Sequence, residues 1–305
     1  MTATQESIAE REIVITRTID APRELVFQIW TDPKHIGKWF GPRGFTTTIH
    51  EMDVRPGGVW RLTMHGPDGT DYRNRIVYVK VEPPGLLVYK NVPEHGDVPV
   101  HFESTVTFAE HAGKTHLTLR MLFPTVEEKT FVVEKHHAIE GGHQTLARLA
   151  ELAEGFGEGC EVVIERTLDA PRDVVFKAWT DPQHLKHWWG PTGFTNPRCE
   201  VDLRPGGAIR IDMRAPDGVI YPMTGAFEEI VENERLVFTS AALDNEGNPL
   251  FQNLNTITFA AHGRQTKLTV RAKVVMATAG APRYLVGMEE GWSLSLDRLA
   301  DYSKR

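Results

Sequence analysis

Cysteine is nearly absent: the 305 residues contain only Cys160 and Cys199, both in the second half. Two thiols make neither a disulfide framework nor a paired-cysteine zinc motif. In a reducing compartment they are expected to remain free and structural. No run of lysine and arginine is long enough to form a basic stripe, and a net charge of −7 with pI near 6.0 offers phosphates no general attraction. Nucleic acid is therefore not an expected partner. No segment approaches the roughly 18 consecutive apolar residues of a membrane span, so no membrane insertion is expected. The opening MTATQESIAEREIVITRTID has no basic stretch followed by an apolar one, which makes the cytoplasm the expected location. No HExxH motif occurs, and no Ser-His-Asp or paired-carboxylate arrangement recurs in both halves. No cofactor and no catalytic residue is expected on this reading.

What is present is a repeat. The segment TRTIDAPRELVFQIWTDPKHIGKWFGPRGFT, Thr16 to Thr46, returns as ERTLDAPRDVVFKAWTDPQHLKHWWGPTGFT, Glu165 to Thr195, with Asp169 standing 149 residues after Asp20 (169 − 20). The match continues through DVRPGG and DLRPGG, Asp53 to Gly58 and Asp202 to Gly207. Later STVTFAEHAGKTHLTLR, Ser104 to Arg120, meets NTITFAAHGRQTKLTVR, Asn255 to Arg271, at an offset of 151 (255 − 104), a two-residue insertion of the kind loops tolerate. A fixed repeat of this length predicts two copies of one domain, residues 1–155 and 160–305, divided at the glycine-rich GFGEG.

Each copy opens with an alternating strand, Glu12 to Ile19 or Glu161 to Leu168. Asp20 and Asp169 stand where an N-cap is expected, with Pro22 and Pro171 just inside the helix. TDP then ends that helix and caps a second short one, which makes Asp32 and Asp181 capping residues. Strands are predicted around Thr46 to Val54, Val59 to His65, Tyr72 to Val81, Leu86 to Asn91, His101 to Glu110 and Thr115 to Phe123. RPGG reads as a turn with Gly57 and Gly206 at positive φ rather than as a phosphate loop. One long amphipathic helix closes each copy, Glu127 to Glu154 and Pro282 to Tyr302. The fold class is α+β: two helix-grip domains, each a curved antiparallel sheet wrapped around a long C-terminal helix.

The strings DAPRELVFQIWTDP, WFGPRGFT and DVRPGG, repeated as DAPRDVVFKAWTDP, WWGPTGFT and DLRPGG, resemble the activator-of-heat-shock-ATPase-like branch of the START-like (Bet v 1-like) superfamily. The resemblance covers nearly the whole chain, twice. It implies a hollow between sheet and terminal helix that takes small hydrophobic or aromatic ligands. Trp39 with Phe40, and Trp188 with Trp189, either fill core or line a cavity mouth. Under the resemblance they join Trp60, Met64, Tyr78 and Phe102 as candidate ligand-binding residues of the first copy. Met213, Met223 and Phe251, with Met288 and Trp292 from the helix, are the candidates of the second. His143 is a further candidate, and His137 is placed to face the cavity.

In the terminal helix Gly142 stands opposite Trp292, which predicts a roomier first cavity at that point; a kink at Gly141-Gly142 explains the glycines equally well. His136, Glu140 and His143 share the spacing of one helical face, but a solvated polar face outweighs a zinc site, because the second copy lacks the set. Non-catalytic binding, sequestration or transport is the leading functional expectation. The family name implies a second, a regulator of a chaperone ATPase, although the resemblance is to the START-like domain and not to a separate chaperone-binding one. A third is a polyketide cyclase- or hydrolase-like enzyme, with a His or Glu of the first terminal helix as acid or base and His143→Ala as the discriminating substitution, or a self-resistance protein acting on a bound metabolite.

Overall fold

The alternation in β1 (Glu12–Ile19) buries Ile13, Ile15 and Ile19 on one face of the strand. The structure, a computed structural model, describes residues 7–92, 102–244 and 246–304. It divides into two compact units, Met1–Gly155 and Phe156–Arg305. In the first unit β1 is followed by α1 (Arg23–Thr31), α2 (Pro33–Trp39), β2 (Thr46–Met52), β3 (Val59–His65), β4 (Asp71–Glu82), β5 (Leu86–Val92), β6 (Phe102–His111) and β7 (Lys114–Leu122). The helices α3 (Val126–His136) and α4 (Ala138–Glu154) close it. The strands form one antiparallel sheet in the order β1-β7-β6-β5-β4-β3-β2, and α4 packs on β1, α1 and α2. The strand predicted from His101 is described from Phe102 onward, His101 itself lying outside the described residues.

The second unit repeats the plan with β8 (Glu161–Leu168), α5 (Arg172–Thr180), α6 (Pro182–Leu185), β9 (Thr195–Val201), β10 (Ala208–Arg214), β11 (Ile220–Val231), β12 (Arg235–Leu243), β13 (Pro249–His262) and β14 (Gln265–Ala277). It ends in α7 (Pro282–Leu285) and α8 (Met288–Tyr302), and its strand order is β8-β14-β13-β12-β11-β10-β9. Each unit is thus a helix-grip α+β domain. Part of the glycine-rich linker is structurally tied to the second domain: the Gly159 amide donates to the Val274 carbonyl at 2.8 Å, and Phe156 packs on Val274, Ala281, Leu285 and Met288. Cys160 and Cys199 are both free, and burial pushes both thiols up, Cys199 to about 11.

Two local expectations need correcting. Asp20 and Asp169 do not cap the first helices; Pro22 and Pro171 are themselves the N-cap residues, in extended geometry, and no side-chain cap bond is made. A proline with ψ near 145–155° stands one residue outside the helix it introduces. The Asp20 carboxylate is used elsewhere, accepting from Lys114 Nζ at 2.7 Å. The terminal helix is also not continuous. In the first domain it breaks at His137, which adopts φ 49°, ψ 41°, while Gly141 and Gly142 lie inside the unbroken α4. The other local features follow the sequence reading: Asp32 and Asp181 accept from the Lys34 and Gln183 amides at 2.9 and 2.8 Å. Gly57 and Gly206 have φ of +81° and +77°.

The end of α2 and the loop after it are fastened to α4 by one side chain. Arg148 Nη1 donates to the carbonyls of Gly41, Pro42 and Phe45 at 2.9, 3.1 and 3.2 Å, and Nη2 donates to Lys38 at 2.9 Å. Arg298 repeats the clasp on Trp189, Gly190 and Pro191 at 3.2, 2.8 and 2.9 Å, and on His187 at 2.9 Å. Loss of hydration pulls both guanidiniums below the ordinary arginine pKa. Hydrogen bonds from charged donors contribute more than neutral ones, and their loss strands the carbonyls. Arg148→Met or Arg298→Met is expected to destabilise its own domain by about 2–3 kcal/mol, read as a lower urea midpoint for one transition. Arg148→Lys should restore little, because an ammonium lacks the planar fork.

Candidate functional site

The inner face of the first sheet changes character toward its open end. Trp60 pairs with Ile76, and Met64 with Tyr72, across β3 and β4. At this end of the sheet β4 begins at Asp71, and the described part of β5 pairs Asn91 with Ile76 and Val92 with Arg75. Opposite this end, the break at His137 turns the chain so that α3 and the first turn of α4 face the sheet. The two sides enclose a cleft of about 1060 Å³, the size of known small-molecule sites. Met64, Tyr72, Phe102, Met121 and Phe123 line the sheet side, and Val132, His136, His137, Ala138 and Gly141 line the helix side. The Phe102 and Phe123 rings lie 5.0 Å apart, and Tyr72 stands 5.8 Å from Phe45 and 6.4 Å edge-on from His136.

The candidate residues divide into two groups. Met64 and Phe102 are on the cleft wall, as is His137. Trp39, Trp60 and Tyr78 are fully buried and are not part of that wall. Trp39 donates from Nε1 to the Ile29 carbonyl at 3.3 Å and packs 4.9 Å from Trp30, and half-buried Phe40 lies 4.8 Å from Trp60. These rings act as core, joining the two short helices to the sheet. Burial holds the Tyr78 and Tyr89 phenols well above their ordinary pKa, and among the described residues the Tyr78 hydroxyl has no hydrogen-bond partner. His143 is exposed and off the cleft wall. The break at His137 also separates His136 from Glu140 and His143, so they do not share a continuous helical face. Among the described residues no group of three or more His, Cys, Asp or Glu is placed to hold a metal ion.

In the second domain the corresponding region is packed. Met213 pairs with Tyr221 as Met64 pairs with Tyr72, which fixes the correspondence of β11 with β4. Leu285 and Met288 at the α7–α8 junction are buried with Val274 and Ala281, and Phe251 and Trp292 pack against them. Trp292 stacks 6.1 Å from Trp179 and lies 5.4 Å from Trp189. Trp188 donates from Nε1 to the Ala178 carbonyl at 2.9 Å. Met223 and half-buried Met213 belong to the same core. The second-copy candidates are therefore brought together mainly as packing. The room left by Gly142 in the first domain is not part of the cleft either. A Cβ at Gly142 would stand 2.2 Å from Ile15 Cδ1, so Ile15 occupies that space.

The sequence reading missed Arg73, Asn74 and Arg75, together with Met121, Phe123 and Val132, all on the cleft wall. A signal was available: DYRNR at 71–75 faces IYPMT at 220–224, an abrupt divergence just after the shared PDG turn.

Fold and cleft together define a START-like domain of the helix-grip class. The sequence profile described as Activator of Hsp90 ATPase homolog 1-like protein matches residues 20–154 and again 169–304, and the chain belongs to that family in two tandem copies. Solved structures similar to it include a protein of Nitrosomonas europaea, 30% identical over 47% of this chain and 94% of its own, with a TM-score of 0.41. Another, from Chromobacterium violaceum, is 30% identical over 48% of this chain and 97% of its own, also at TM-score 0.41. A third, from Rhizobium leguminosarum, is 28% identical over 49% and 97%, at 0.44. No curated protein matches the chain. Among the described residues no helix is long and apolar enough to cross a membrane.

The contact between Gly142 and Ile15 is testable by a double-mutant cycle. Gly142→Ala gains about 1 kcal/mol of helix propensity but overpacks Ile15, at a typical cost of 1–3 kcal/mol. The single variant is expected to be destabilised in urea, whereas in an Ile15→Val background, which removes the colliding Cδ1, the same change should be neutral or stabilising.

Proposed function

We propose that the protein binds a small hydrophobic or aromatic molecule in the cleft of its first domain, and sequesters or carries it without transforming it. The observation that carries this reading is the cleft itself: about 1060 Å³ between sheet and helix, with apolar side chains along its depth. Such a site needs no reactive group. Removing apolar ligand surface from water contributes about 25 cal/mol per Å². Micromolar affinity, about 8 kcal/mol, thus calls for roughly 300 Å² of buried apolar ligand surface, before the cost of immobilising the ligand. A fused-ring aromatic or a medium acyl chain is large enough. The packing of Leu285 and Met288 in the second domain supports placing the binding in the first.

The uncharged dye N-phenyl-1-naphthylamine provides the test. Saturable fluorescence enhancement with one site per chain is expected. Phe102→Ala and Met64→Ala should each weaken it about 5- to 10-fold, equivalent to the loss of some 40–60 Å² of apolar contact, while Met223→Ala leaves it unchanged. Absence of saturable binding would remove the proposal.

A further inference from the structure

The sheet wall of the cleft carries a neutral polar patch. Paired residues on adjacent strands share a face, so Tyr72, Asn74 and Ile76 stand on the inner face with Met64, Leu62 and Trp60. Asn91 joins them, paired with Ile76 on β4 and with Phe102 on β6. Asn74 is two residues from Ile76, which makes it the diagonal neighbour of Asn91, at the roughly 7–8 Å spacing of such positions. Both asparagines line the cleft, half-buried. Asn74 Nδ2 donates to the Tyr72 carbonyl at 2.9 Å, a bond that fixes which end of the amide is nitrogen. Among the described residues, Asn74 Oδ1 and the whole Asn91 carboxamide have no hydrogen-bond partner.

Charge is kept off this wall. From Tyr72 to Tyr78 on β4, Leu87 to Asn91 on β5 and Phe102 to Val106 on β6, every inner-face residue is uncharged. Arg73, Arg75, Lys90 and Glu103 take the alternate positions, on the outer face, where Lys90 Nζ stands 3.6 Å from Glu103 Oε2. On the helix side the Gln144 side chain is already engaged, accepting from the Arg43 backbone amide at 3.1 Å and donating to Glu140 at 2.8 Å. The open carboxamides of the lining are therefore Asn74 and Asn91.

The second domain uses the matching positions differently. Met223 stands where Asn74 does, two residues beyond the tyrosine of the common Met–Tyr pair. Ser240 stands where Asn91 does, because it pairs with Asn253 as Asn91 pairs with Phe102, and 253 − 102 is the repeat offset of 151. Its hydroxyl already accepts from Asn255 Nδ2 at 2.9 Å. The Asn253 and Asn255 oxygens have no donor among the described residues, but both side chains are buried, Asn253 against Met288 Sδ at 3.7 Å. The polar groups of this wall are thus closed in the second domain and open to the cleft in the first.

Resting on the apolar-binding reading above, we infer that the ligand of the first domain carries an uncharged group that both donates and accepts hydrogen bonds, of the carboxamide or lactam class, held by Asn74 and Asn91. Its apolar body lies against Phe102, Met121 and Phe123. An asparagine side chain presents N–H and C=O side by side, and so does an amide edge, so the two close with complementary bonds. A carboxylate can only accept, and it loses hydration against a wall that offers no cation. The two asparagines thereby determine which apolar molecules the cleft prefers and in which orientation they lie, which a uniformly apolar pocket does not impose.

The test displaces N-phenyl-1-naphthylamine from the full chain with three molecules of one aromatic body: 2-naphthamide, the anion 2-naphthoate and the apolar 2-isopropenylnaphthalene. Two neutral hydrogen bonds are together equivalent to roughly 10-fold in affinity. In the unaltered chain the amide should compete at least 5-fold better than the carboxylate. In an Asn74→Leu/Asn91→Leu variant, shown to be folded by its melting curve, the amide should lose at least 5-fold, while the isopropenyl compound and the dye lose less than 2-fold. Each single variant should cost the amide at least 2-fold. If the dye binds saturably but the carboxylate competes as well as the amide, or the amide is indifferent to both asparagines, the inference is overturned and the apolar reading stands. The carboxylate comparison needs no variant, so it decides even if the substitutions unfold the domain. If the dye does not bind saturably, both readings fall.

Discussion

One guanidinium in each domain holds the terminal helix to the corner where α2, or α6, gives way to the sheet. Arg148 gathers four backbone carbonyls, Lys38 at the end of α2 and Gly41, Pro42 and Phe45 in the chain after it, and Arg298 gathers those of His187, Trp189, Gly190 and Pro191 after α6. Buried backbone acceptors need donors, and a planar cation with five N–H groups can serve several at once. The consequence is positional. With Arg148 fastened to Gly41 and Lys38, the C-terminal half of α4 is pinned over β1 and the two short helices. The chain that leads into it, α3 and His137, must then cross the open end of the sheet, which is where the cleft lies.

From that common frame the two domains diverge through a few substitutions. In the first, a glycine at 142 admits Ile15 close to the helix, and the break at His137 holds α3 away from the sheet. In the second, a tryptophan in the matching place stacks on Trp179 and meets Trp189 edge-on, and Leu285 and Met288 fill the junction. Dense packing is the default for a protein interior. In the first copy the cleft between sheet and helix interrupts that packing.

Much of the fold was legible in the sequence because it is written in local patterns. Strand alternation, the TDP caps and the RPGG turns depend on neighbours in the chain, and the repeat displayed each of them twice. The site was less legible. Trp39, Trp60 and Tyr78 have the chemistry of a ligand wall, but whether a large ring faces a hollow or a neighbour depends on partners far away in sequence. The break at His137 was missed because a non-glycine residue at positive φ leaves no pattern, while the adjacent glycines drew attention to a kink that does not occur. Arg148 was missed because a lone arginine on a helix reads as solvated; its recurrence as Arg298, in ARLAE and DRLAD, was the available clue.

The central claim is that binding resides in the first domain and spares the second. Methyl resonances of the eight methionines, assigned by substitution and followed during titration with N-phenyl-1-naphthylamine, test it most directly. The account predicts saturable shifts at Met64 and Met121, with Met213, Met223 and Met288 unmoved. Shifts at Met223 and Met288 with Met64 and Met121 silent would contradict it.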